Sequence, residues 1–119
     1  MIKAIKIYTG DDRHTHVVHG SVLEDHLTHA ASIRFKETPA HSFYDWHPAP
    51  TIQYVITLLG TLEFETHSGE KFIIHPGDVL IAMDTTGSGH KWHLIDDNPW
   101  RRAYIVFDET KEINFIEVA

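Results

Sequence analysis

The sequence predicts an all-β single domain, a sandwich or barrel of short strands. Three observations predict it. Short segments rich in β-branched and aromatic residues recur along the chain. Pro, Gly, Asn and Asp separate them at close intervals. No long stretch sustains a helical period. The 119 residues, 42% hydrophobic and 23% charged, suffice for one core and are too few for two. The whole chain, 1–119, is therefore read as one domain.

The elements follow in order. Residues 4–8 (AIKIY) alternate apolar and polar positions before the turn-forming cluster 9–12. Residues 16–22 read as strand, with a competing signal beside them. Ser21 and Glu24 stand at capping-box spacing, and Leu23, Leu27 and Ala30 share a helical face, so a turn or two of helix between Gly20 and Ala30 is the lesser alternative. Residues 31–35 (ASIRF) alternate, and Thr38-Pro39 stops the stretch that follows. Residues 51–59 (TIQYVITLL) are strongly β-forming, with Gly60 marking a bend or bulge. Residues 61–66 (TLEFET) turn at Ser68-Gly69 into 71–74. Pro76-Gly77-Asp78 leads into 79–83, and residues 96–99 (DDNP) lead into 102–107. Residues 113–118 close the series.

Composition removes several classes of function. Ten basic against seventeen acidic residues give a net charge of −7 with no basic cluster, which disfavours nucleic acid. The absence of cysteine excludes disulfides, thiolate catalysis and Cys-based metal sites. No apolar run is long enough for a membrane helix, and the opening MIKAIKIYTG lacks a secretory core, so a cytoplasmic location is expected. Eleven histidines outnumber Lys and Arg together. Histidine is the commonest metal ligand and the usual acid–base group near neutrality, so its spacing matters.

Residues 46–60 read WHPAPTIQYVITLLG. This stretch resembles the first motif of the cupin superfamily, His-x-His, three or four residues, Glu, six residues, Gly. His47 takes the first histidine position, Gln53 the glutamate position, and Gly60 follows Gln53 by seven residues. Pro76-Gly77-Asp78-Val79-Leu80 resembles the opening of the second motif, whose histidine falls at His90. The resemblance spans residues 40–107. It implies an antiparallel jelly-roll β-barrel of the small single-domain kind, with little helix and one interior pocket. It also implies a divalent metal ion on His47, Gln53 and His90, and no organic cofactor.

The chain departs from that pattern at two ligand positions. Ala49 stands where the second histidine belongs, and Gln53 replaces the carboxylate, which weakens a site for a divalent cation. Asp45 shares strand parity with His47 and is the candidate substitute in the pocket. Trp92 shares parity with His90 and should form a pocket wall, whereas His93 lies on the opposite parity. Trp46 should face away, into a core or dimer contact, and Trp100 should be a structural plug. Arg101-Arg102 reads as a solvated couple or one ion-paired with local Asp residues, a clamp for an acidic ligand being the lesser alternative. His14-Thr15-His16 lacks a following glutamate and reads as a turn or interface strand. His26, His29, His67 and His75 read as surface residues, and Gly87-Ser88-Gly89 as a loop flanking the pocket.

Three functions remain open at this point, two of them tied to the pocket. One is a metal-dependent enzyme acting on a small oxygenated metabolite; the other is a small-molecule-binding module with a vestigial metal site. A purely structural role is the third. A small-molecule ligand, no nucleic acid, no membrane and a homodimer are expected, the N-terminal strand (Ile2, Ala4, Ile5, Ile7) needing a sheet to join.

Overall fold

In a computed structural model the described residues, 1–107 and 113–118, form eleven strands and no helix. These are β1 (Ile2–Thr9), β2 (Thr15–Val22), β3 (Ala30–Thr38), β4 (Phe43–His47), β5 (Gln53–Leu59) and β6 (Leu62–Thr66). β7 (Lys71–Ile74), β8 (Val79–Met83), β9 (His90–Leu94), β10 (Trp100–Phe107) and β11 (Ile116–Glu117) follow. The all-β reading holds. The helical alternative at Gly20–Ala30 does not: β2 runs through Ser21, and Glu24 and Asp25 form a turn, with Asp25 at φ 60°. The strand expected at 113–118 shrinks to the two residues of β11.

Seven strands form one sheet in the order β11-β2-β1-β8-β5-β10-β3, and four form another in the order β4-β9-β6-β7. All pairings are antiparallel except β1 with β8, which is parallel and departs from the antiparallel expectation. The two layers fit the expected jelly roll, and no strand pairing closes them into a barrel among the described residues.

The core lies between the sheets because each strand alternates inward apolar and outward polar residues. β6 shows this directly: Leu62, Phe64 and Thr66 are buried, while Glu63 and Glu65 are half-buried on the other face. Ile5, Ile7, Val55 and Leu80 from the large sheet meet Leu62, Phe64, Ile74 and Leu94 from the small one. Each such side chain contributes about 1.5–3 kcal/mol of burial. A second cluster around Tyr54, Ile81 and Phe107 packs against Ile113 and Phe115.

β1 is an interior strand, paired with β2 on one edge and β8 on the other. Ala4, Ile5 and Ile7 are buried within the chain itself. The premise that β1 lacks a sheet to join is thereby corrected: it pairs on both sides within the chain, and of Ile2, Ala4, Ile5 and Ile7 only Ile2 is left exposed.

Two glycines are demanded by geometry. Gly60 adopts φ 97°, and a Cβ there would stand 2.8 Å from the Pro99 carbonyl oxygen. Gly89 adopts φ 70° and packs directly on the His47 carbonyl, which brings the start of β9 onto the end of β4.

Candidate functional site

A cavity of about 450 Å³ opens between the sheets. His47, Ala49, Gln53, His90 and Trp92, which the sequence singles out, all line it. His47 ends β4 and His90 begins β9, and the two are register partners. Their ring centroids lie 4.6 Å apart. Gln53, the first residue of β5, is buried beside Ala82, and Ala49 is buried with its N–H donating to the Asp84 carbonyl.

The two imidazoles are held in the same way. His47 Nδ1 donates to the Asp45 carbonyl oxygen at 2.7 Å. His90 Nδ1 meets Asp84 Oδ2 at 2.5 Å. A proton on each Nδ1 leaves Nε2 with a free lone pair, able to accept a hydrogen bond, take a proton or ligate a metal. Burial pushes the His47 pKa below the ordinary histidine value; the bond to Asp45 opposes this and neighbouring His90 adds to it. His47 is therefore a neutral imidazole near pH 7.

Asp84 is the residue the motif reading missed. It is fully buried, and its Oδ2 also accepts from Thr15 Oγ1 at 2.8 Å, while Oδ1 has no partner among the described residues. A signal for it existed. Leu80 and Ala82 alternate inward along β8, and extending that period by one step puts Asp84 on the same face.

Asp45 does not enter the cavity. The β4–β9 register shifts between Tyr44 and His47, so the parity that relates Asp45 to His47 in a regular strand is broken. Asp45 is exposed, caps the Trp46 N–H at 2.9 Å, and lies in a separate surface depression with Glu63 and Glu65. Trp46 is half-buried and lies outside the core clusters. It stacks on His67 at 3.7 Å, with the Lys91 ammonium 4.8 Å from its ring. His67 is exposed, the surface residue expected, with Trp46 as its aromatic neighbour.

Trp92 forms the expected wall, and Trp100 joins it edge-on at 4.7 Å. Trp100 is also anchored, its Nε1 donating to Thr57 Oγ1 at 3.1 Å. The tandem arginines divide. Arg101 is exposed and pairs with Glu37, whereas Arg102 is buried on the cavity wall and pairs with no described carboxylate. None of Gly87, Ser88 and Gly89 lines the cavity; Gly89 packs on the His47 carbonyl, and Ser88 Oγ lies 2.8 Å from His14 Nδ1.

The donor set falls short of what the cupin motif supplies to a metal. Two imidazoles and one amide face the cavity, and the nearby carboxylate, Asp84, is turned to the Nδ1 side of His90. No group of three His, Asp or Glu suited to a metal occurs among the described residues. Nor does any helix among them have the length and apolarity to cross a membrane.

No protein-family model matches the chain. A 64-residue stretch, 53% of the chain, is 33% identical to oryzines biosynthesis cluster protein J of Aspergillus oryzae. That stretch is 34% of the relative, so the match spans about a third of its length. Among solved structures, the Cnp3 cupin domain of Schizosaccharomyces pombe matches 81% of this chain and 74% of its own, with a TM-score of 0.54 and 15% identity. Likeness at that identity speaks to the backbone, and it agrees with what residues 46–60 imply: this chain has the cupin fold.

Proposed function

We propose that the chain is a small-molecule-binding cupin domain whose cavity receives an oxygenated metabolite. The observation that carries this reading is the convergence of His47, Gln53 and His90, distant in sequence, on one aromatic-walled cavity. Pockets of this size with a few directed polar groups are the usual form of a metabolite site. The bare Nε2 atoms accept hydrogen bonds from ligand hydroxyls, and Trp92 packs against the carbon skeleton.

The test is a thermal-shift screen of small hydroxy and oxo compounds against wild type, His90→Ala and the exposed control His26→Ala. Compounds that raise the melting temperature of wild type and His26→Ala, but not of His90→Ala, are expected. Equal stabilisation of all three proteins would sink the reading.

A metal-dependent enzyme is the second reading. The observation favouring it is that both Nδ1 atoms are engaged while neither Nε2 has a hydrogen-bond partner among the described residues, the arrangement metal-ligating histidines adopt. A divalent ion would rest on His47, His90 and Gln53 with no anionic ligand, and so would bind weakly. Metal analysis after incubation with Mn²⁺, Ni²⁺ or Zn²⁺ decides this. Stoichiometric metal in wild type, lost in His47→Ala and His90→Ala, establishes the metal reading. Metal bound only by the Ala49→His/Gln53→Glu variant means a vestigial site.

A further inference from the structure

We propose that the ligand of this cavity is an organic acid, its carboxylate held by Arg102 with Arg34 and Lys36 at the rim. The proposal rests on the reading of the cavity as a ligand site and adds the chemical class.

Arg102 is 2% exposed. Its guanidinium lies over the Trp100 ring, 3.8 Å from the centroid. Nε donates to Tyr104 Oη at 3.0 Å, and Nη1 to Thr38 Oγ1 at 2.6 Å and to the Trp100 carbonyl at 3.1 Å. A guanidinium has five N–H donors, so the two on Nη2 are left without a partner among the described residues. Every partner it has among the described residues is neutral. A buried cation without a counter-anion is costly to fold around.

The neighbours add to the positive charge instead of cancelling it. Lys36 is the register partner of Arg102 across β3 and β10, and like charges directly opposite each other destabilise a ladder. Arg34 is the register partner of Tyr104, two residues along on the same face, and its guanidinium lies 4.7 Å from that ring. All three cations line the cavity, and among the described residues no Asp or Glu does. The rest of the chain runs the other way, with a net charge of −7. An acidic protein thus gathers three cations on the wall of this cavity, with no carboxylate beside them among the described residues.

That arrangement matches a carboxylate. The planar guanidinium edge presents donors in the geometry a carboxylate accepts. From there the aromatic and aliphatic wall, including Trp92, Trp100 and Val55, suits a carbon skeleton, and His47 and His90 offer acceptors to a hydroxyl on the ligand.

The experiment titrates the protein with straight-chain and aromatic carboxylates of two to ten carbons, and with the alcohols of matching skeleton. Tryptophan fluorescence is the readout, since Trp92 and Trp100 line the cavity. Carboxylates are expected to bind roughly thirtyfold or more tightly than their alcohols, the ratio set by losing a buried charge partner. Arg102→Gln should abolish that preference and leave the melting temperature equal or higher, because it removes an uncompensated buried cation. Arg34→Gln and Lys36→Gln, exposed and safe to substitute, should each weaken carboxylate binding several-fold, and Arg101→Gln, on the opposite face, should not. Acids and alcohols binding equally would overturn the proposal and leave the cavity reading standing. Neither binding would overturn both. Inorganic phosphate binding as tightly as the carboxylates would mean a general anion site and overturn the assignment to organic acids.

Discussion

Asp84 ties three parts of the fold to one buried carboxylate. It accepts from Thr15 on β2 and orients His90 on β9, and its backbone carbonyl holds the segment at Ala49. Removing it strands a hydroxyl and an imidazole away from water, so Asp84→Ala should cost about 3 kcal/mol, measured by urea denaturation. His47 makes a prediction in pH. Its folded pKa lies below the unfolded value because burial disfavours the charged ring. As pH falls below the ordinary histidine range, the unfolded chain takes up this proton before the folded one does. Stability should therefore be complete above that range and decline below it. His47→Gln should show a shallower decline between pH 7 and pH 5, and an unchanged slope would assign the loss to other groups. Arg102 shows why single residues can escape a sequence reading. Tandem arginines look alike on the page, and only the alternation of β10, with Trp100, Arg102 and Tyr104 on the cavity side, separates the buried one from the solvated one.

At the scale of elements, regular strands were readable and irregular ones were not. β6 and β7 pair through the Ser68-Gly69 turn as the alternation of residues 61–66 requires. His90 and Trp92 share the inward face of β9 because that strand is regular. Asp45 fails for the opposite reason, since the register of β4 slips by one before His47 and no local residue type announces it. The parallel partner of β1 also lay beyond reach. Local patterns specify a strand's face, while the identity of its neighbour depends on contacts some 75 residues away. Packing across the sheets yields the prediction at this scale. Phe64 is 1% exposed and stacks on Phe72 at 5.1 Å between the two layers. Phe64→Ala should cost about 3–5 kcal/mol. Phe43→Ala, on β4 but 75% exposed, should cost little. Equal denaturation midpoints for the two variants would contradict the placement of the core.

At the scale of the whole molecule, the expected homodimer needs a different strand. With β1 enclosed, the long strand left at an edge of the large sheet is β3, nine residues whose outer side has no partner among those described. An edge of this length is a template for another chain unless charge or cover blocks it. On β3 the charges Arg34 and Lys36 line the cavity, so they do not mask the opposite face. That face carries Ile33 and Phe35, 59% and 69% exposed, with Leu58 of β5 exposed nearby. Two copies pairing through β3 would cover these side chains and continue the large sheet. It would also stiffen the strand that presents Arg34 and Lys36 to the cavity, which links assembly to the rim of the site. Light scattering at micromolar concentration should give a particle of twice 13.7 kDa for the wild type. The double variant Ile33→Lys/Phe35→Glu should give the monomer mass with an unchanged far-UV circular dichroism spectrum. A wild-type monomer would refute the dimer, and a dimer that survives the double substitution would place the contact on another face.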